Sequence, residues 1–277
     1  MTITATPTTA AATTSPARLH RPIRSTRSDM ATIPTILKSE WIKLASLRAN
    51  RAILGLTIII GGFASWATAT LVTDEVLTVS KEFVYATTLT GVLAAIAGIL
   101  LFTSETQHGT LATALTAQPA RWVIAVSKTI TAAAAGLVLG LAGLAAGIGG
   151  AVAGGLELGD TSSIAPTALW ALLYTTLSAV IGLGVGMIAR HSTGAISGFL
   201  VWWFVIENLL AVFAPAKVAR LLPFVTGYRL LGIGSDFDSA EAIAVALTRG
   251  QNAIAFTTYT AAAIAIGVVL LHRRDTN

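Results

Sequence analysis

Six long apolar runs dominate the chain, at 52–72, 85–103, 130–153, 167–189, 195–213 and 253–271. A helix rises about 1.5 Å per residue, so about 20 apolar residues cross the roughly 30 Å of hydrocarbon in a bilayer. Every run is long enough to do so. The alternating ten-residue segments of a membrane β-barrel do not occur in the sequence. The pattern therefore predicts an all-α fold, a polytopic six-helix transmembrane bundle.

The segments around these runs predict further elements. Over 36–50, Leu37, Trp41 and Leu44 recur at helical spacing while Ser39, Lys43, Ser46 and Asn50 take the opposite side, which predicts an N-terminal amphipathic helix in the membrane interface. Residues 1–35 are rich in Thr, Ala, Ser and Pro. Such a stretch has too few apolar groups to offset its ordering entropy and is expected to form a disordered cytosolic tail, leaving 36–277 as the six-span domain. Between the second and third runs, 104–121 starts at Glu105, meets Gly109, carries Leu111 and Leu115 on one face and breaks at Pro119. This predicts a surface element on the cytosolic side. The connection 214–252 is long for a plain loop and predicts an interfacial element around Pro223 and Phe224 and a short helix over 239–248 with Ser239 as its cap.

Composition agrees with membrane residence. Of 277 residues, 54% are hydrophobic and 11% charged, and the mean hydropathy is +0.76, whereas soluble domains carry roughly 25% charged residues. The net charge of +5 matters less than its placement. With the N-terminus inside, 13 of the 18 Lys and Arg residues fall in inner segments and 5 in outer loops. The expected product is a multi-pass protein of the cell membrane with both termini cytoplasmic. Gly136, Gly140, Gly143, Gly147, Gly150 and Gly154 share one face of the third helix, a stripe that lets another helix approach closely, most simply within the same chain.

Candidate chemistry is sparse. With no Cys, disulfides, cysteine zinc sites and iron–sulfur clusters are excluded. No two histidines have the spacing of a helical metal pair, and Lys128 and Thr129 are not preceded by the glycine-rich cradle that binds nucleotide phosphates. The chain is expected to have no catalytic residues, to hold no cofactor or metal, and not to hydrolyse ATP itself. Glu207 is the ionisable residue that sits well inside a run, next to Asn208 and above Trp202 and Trp203. An intramembrane acid needs a partner or a watery path, so these four residues are candidates for a substrate pathway. Glu207 also admits an alternative, an ion- or proton-coupled secondary transporter or channel, and a plainer one, a hydrogen bond between helices.

The stretch SEWIKLASLR at 39–48 precedes a span. After the second span comes E-x-x-x-G-T-L, formed by Glu105, Gly109, Thr110 and Leu111, with Pro119, Arg121 and Lys128 downstream. In this order and within six spans, the sequence resembles permease subunits of ABC-2-type exporters, especially actinobacterial ones. The resemblance implies a dimer, either two copies of this chain or one copy with a related permease. It also implies a separate ABC ATPase subunit that binds ATP and Mg, membrane lipid around the bundle, and no nucleic-acid partner. By the same resemblance Glu105, His108, Gly109, Thr110, Leu111, Pro119 and Arg121 form the coupling loop, with Glu40, Trp41 and Lys43 beside it.

Overall fold

A computed structural model describes residues 33–35, 37–42, 44, 48–72, 77–110, 120–233 and 240–274. Most of the predicted tail, Lys43, Leu111, Pro119 and Ser239 lie outside the described residues. The described chain is helical without strands. The predicted six-helix bundle is present, with spans Arg48–Leu71, Val79–Gln107, Arg121–Ala153, Thr161–Ala189, Ser192–Phe213 and Arg249–Arg273.

The helices run beyond the apolar runs because their ends are capped or internally satisfied. The fourth starts at Thr161, where the Asp160 side chain accepts from the Ser162 N–H. The sixth starts with a reciprocal cap in which Thr248 N donates to Gln251 Oε1 and Gln251 N donates to Thr248 Oγ1. Hydroxyls inside the spans return their protons to the preceding turn: Thr57 to Ile53, Thr87 to Phe83, Thr103 to Ile99 and Thr260 to Phe256. That removes the cost of an unpaired donor in lipid.

Spans two and four form the centre, each 67% buried in its apolar window, against 17–22% for the first, fifth and sixth. The third packs on the first, second and fourth. Its glycine stripe explains how. A Cβ at Gly136 or Gly140 would meet Thr175 of the fourth span, at Gly143 Thr90 of the second, and at Gly150 and Gly154 Gly62 and Ala69 of the first. The stripe is used within the chain, where absent side chains let three backbones approach.

Two ends follow from the topology. One gathers the N-terminal segment, Gln107, Arg121, Ser192 and His272, and we call it the basic end. The opposite end joins Val79 N to Glu157 O and Arg220 Nη1 to Val245 O. There the long connection is structured as expected, as helices Ala216–Ala219, Pro223–Arg229 and Ala240–Ala244, the last shorter than the pattern predicts.

Candidate functional site

The basic end is organised around Lys128. The third helix carries it in its second turn, and Ser127 Oγ satisfies the Ile124 carbonyl one turn earlier. Lys128 Nζ lies 2.8 Å from Glu105 Oε2 and 3.2 Å from Glu40 Oε2, with side chains 2%, 11% and 6% exposed respectively. One cation thus joins the end of the second span, the start of the third and the short helical segment ahead of the first. Leu44 strengthens the joint by packing on the cluster of Leu101, Phe102, Ala125 and Leu271. A buried ammonium is costly without carboxylates, and two carboxylates are costly without it, so the three elements are held in one arrangement.

The residues beyond this knot are presented to solvent. Past Glu105 the second helix continues to Gln107, and the Ser104 and Thr106 hydroxyls donate to the Leu100 and Phe102 carbonyls one turn back. It stops at Gly109, whose φ of 71° is the left-handed geometry that ends helices and favours glycine. His108, Gly109 and Thr110 are exposed there. His108 Nδ1 contacts Ser104 O at 2.6 Å, and Thr110 Oγ1 donates to Glu105 O. Arg121 turns instead to the sixth span. Its Nη1 donates to the carbonyls of Leu271 and His272 at 3.0 and 2.9 Å, a cation at the negative end of a helix dipole. Ser192 Oγ donates to Gln107 Oε1, tying the fifth span to the second. The segment 104–121 is therefore anchored at both ends to several spans at once.

A second polar centre lies in the fifth span. Residues Trp202–Ile206 form a π turn in which Glu207 N bonds Trp202 O, one residue further back than in an α-helix. That turn sets residues five apart over one another, so Trp202 Nε1 donates to Glu207 Oε2 at 3.1 Å. Glu207 Oε1 accepts from Val225 N at 2.6 Å. The acid thus supplies the missing N-terminal acceptor of helix Pro223–Arg229, a cap delivered from a neighbouring helix. Asn208 Nδ2 donates to the Trp203 and Phe204 carbonyls within the π region. Trp203 stacks on Phe224 at 4.1 Å and meets Tyr174 and Phe199 edge-on. Of the four residues singled out in the sequence, Trp203 and Glu207 are enclosed, while Trp202 and Asn208 reach the surface.

The knot brings together Glu40 and Glu105, which the family resemblance placed side by side, and leaves Trp41 exposed beside them. Lys128 is its centre, though in the sequence it is only a marker downstream of the loop. The available signal was a lysine inside a helix otherwise fit to cross a membrane, which demands carboxylate partners. Among the described residues no three His, Asp or Glu side chains converge as a metal site. His191 serves as a helix cap, accepting from Gly194 N.

A comparison with curated proteins found no match. Over residues 9–276 the sequence matches the family described as ABC-2 family transporter protein.

Proposed function

The chain belongs to the ABC-2 family of transporter proteins, and on that premise we propose that it is the permease subunit of an exporter whose motor is a separate ATPase. Multi-pass membrane residence and the pairing of such permeases with an ABC ATPase are general to the family. The finer reading is ours. The permease works as a dimer, with a second copy or a related chain. ATP and Mg bind on the partner ATPase, and this subunit contributes no catalytic group. The basic end faces the cytoplasm of the cell, and the segment 104–121 receives the motor.

One observation carries this reading: the buried Lys128 knot joins the loop-bearing ends of spans two and three to the surface segment holding Glu40 and Trp41. A contact at His108, Gly109, Thr110, Leu111 or Pro119 then displaces all three elements together. Arg121 passes the same displacement to the sixth span through its two carbonyl bonds. A motor shifts such an equilibrium only by binding its two states unequally, and exposed residues at the tip of a rigid assembly supply unequal contacts. Substrate passes the Trp202 and Asn208 side of the fifth span, and Glu207 holds the helix that covers the opposite end. Ion coupling through Glu207 is the weaker reading, because both its carboxylate oxygens accept from fixed N–H donors.

The test co-expresses the chain with its partner ATPase and measures ATP hydrolysis by the reconstituted complex. Leu111→Asp and Glu105→Gln are expected to lower permease-stimulated hydrolysis at least tenfold while both subunits remain folded. Full stimulation in both variants, or uphill transport by vesicles that contain the permease alone, refutes the proposal.

A further inference from the structure

Midway along the fifth span, Trp202 stands 40% exposed while its indole N–H donates to Glu207 Oε2 at 3.1 Å. We propose that the outward indole face is a binding site for amphiphilic organic cations, protonated amines carried on an apolar body, and that these are the transported substrates. The inference deepens the route past the Trp202 and Asn208 side given above, and rests on it.

Three observations carry it. First, the hydrogen-bond donors of this face are already used. Trp202 gives its N–H to Glu207, and Asn208 gives Nδ2 to the Trp203 and Phe204 carbonyls. What Asn208 has left is Oδ1, which only accepts. From Ser192 to Phe213, Glu207 is the sole charged side chain. An anion or a carbonyl-rich molecule therefore meets no side-chain donor on this face, whereas an ammonium meets an aromatic face, an amide oxygen and a negative field.

Second, the hydrogen bond tunes the ring. An N–H bonded to a carboxylate is polarised by it, which moves electron density onto the indole and deepens the negative potential of its faces, the potential that attracts a cation. Glu207 is 2% exposed and fixed through its other oxygen by Val225 N, so its charge acts through the ring rather than by direct contact. A cation held by the ring alone can leave again. Third, depth sets the need. Trp202 lies ten residues beyond the start of the span at Ser192, about 15 Å at 1.5 Å per residue and near the middle of roughly 30 Å of hydrocarbon. Apolar groups are at home there, and charge is what makes that depth costly. The exposed side chains of Val201, Val205 and Ile206 on the same span offer an apolar bed for the rest of the molecule.

The experiment reconstitutes the purified full chain in phosphatidylcholine vesicles and follows energy transfer from its tryptophans to 1-pyrenemethylamine, cationic at neutral pH, or to the neutral 1-pyrenemethanol. Saturable transfer is expected, with the amine half-saturating about fivefold lower than the alcohol, about 1 kcal/mol at about 1.4 kcal/mol per tenfold. Trp202→Leu should bring the two probes together, with the other tryptophans still reporting, and Trp202→Phe should keep a reduced preference. Should Trp202→Leu fail to fold, Trp202→Phe decides, and an unchanged preference in it overturns the proposal. Equal half-saturation in the wild type, with both probes weakened by Trp202→Leu, overturns the cation assignment and leaves the route standing. Unsaturable transfer, or a preference indifferent to Trp202, overturns it together with the route. Disulfide cross-linking between two Val205→Cys copies that excess amine does not slow also overturns it, by placing a second chain on this face.

Discussion

Replacing Lys128 by methionine keeps the length of the side chain and removes the cation shared by two buried carboxylates. At an effective dielectric constant of about 20, charges separated by 2.8 and 3.2 Å attract by about 6 and about 5 kcal/mol. Withdrawing each ion from water costs several kcal/mol, so the intact knot contributes little net stability. The variant has no such balance. Glu40 and Glu105 lose their common counter-charge in a site where all three side chains are nearly enclosed, and breaking a buried pair from one side costs about 3–5 kcal/mol. For a chain of this size that corresponds to a fall in Tm on the order of 10 °C. The triple variant Lys128→Met, Glu40→Gln, Glu105→Gln removes the charges together and is expected to recover most of the loss. The assay is thermal unfolding in detergent, followed by ATPase stimulation in the reconstituted complex. The triple variant should be stable yet poorly coupled, because its surface segment is no longer fixed to spans two and three. A Lys128→Met protein melting within ~2 °C of wild type would refute the burial argument, and a fully coupled triple variant would refute the mechanical one.

Glu207→Leu removes the acceptor of the Val225 N–H, a loss of about 1–3 kcal/mol for a buried donor. Hydrogen exchange across 223–229 should accelerate by about tenfold or more, with a smaller change in Glu207→Gln, whose amide oxygen still accepts one bond. Gly140→Val and Gly150→Val should lower the Tm without changing oligomeric state, because their side chains would enter the fourth and first spans of the same chain; gel filtration with thermal unfolding checks this, and an altered oligomer with an unchanged melt counts against it. Since the chain has no Cys, single-cysteine variants report orientation cleanly. Ser28→Cys should react with an impermeant maleimide only after the cells are opened, and a cysteine replacing Asp160 should react in intact cells.

The spans were legible because lipid imposes one dominant rule, an apolar stretch long enough to cross, and the glycine stripe of the third helix pointed correctly to close packing within the chain. Their ends were less legible. The third helix starts at Arg121 rather than near 130, because a hydropathy pattern stops at Ser127 and Lys128 while the backbone continues wherever such groups find partners. The partner of Lys128 in the N-terminal segment lies 88 positions away, and no local spacing announces a contact of that range. Glu207 and Trp202 are five apart, on different faces at 3.6 residues per turn; the π turn brings them together. Sequence spacing gave the buried acid and its aromatic neighbours, but the helix that it caps became visible only with the chain folded.

These two centres sit where force has to enter and leave if the family mechanism operates here. The second span runs 29 residues, about 44 Å at 1.5 Å per residue, from the exposed turn at Gly109 to the Val79 bond with Glu157. It is also the span most deeply packed on the fourth, through glycines at 98, 182 and 186 whose missing side chains leave backbones in contact. Spans two to four are therefore packed as one block, through which the proposed mechanism carries a displacement from the basic end to the other. The fifth span does not share that rigidity. Its π turn interrupts the regular hydrogen-bond ladder midway, it is only 17% buried, and it is tied at the basic end through Ser192 to Gln107 and farther along through Glu207 to Val225. A helix pinned at both places to elements that move differently must deform between them, and the π turn is where an altered register costs least. In the proposed mechanism, motion of the central body strains the Glu207 bond to helix Pro223–Arg229, so the carboxylate that caps this helix also marks where its attachment is loaded.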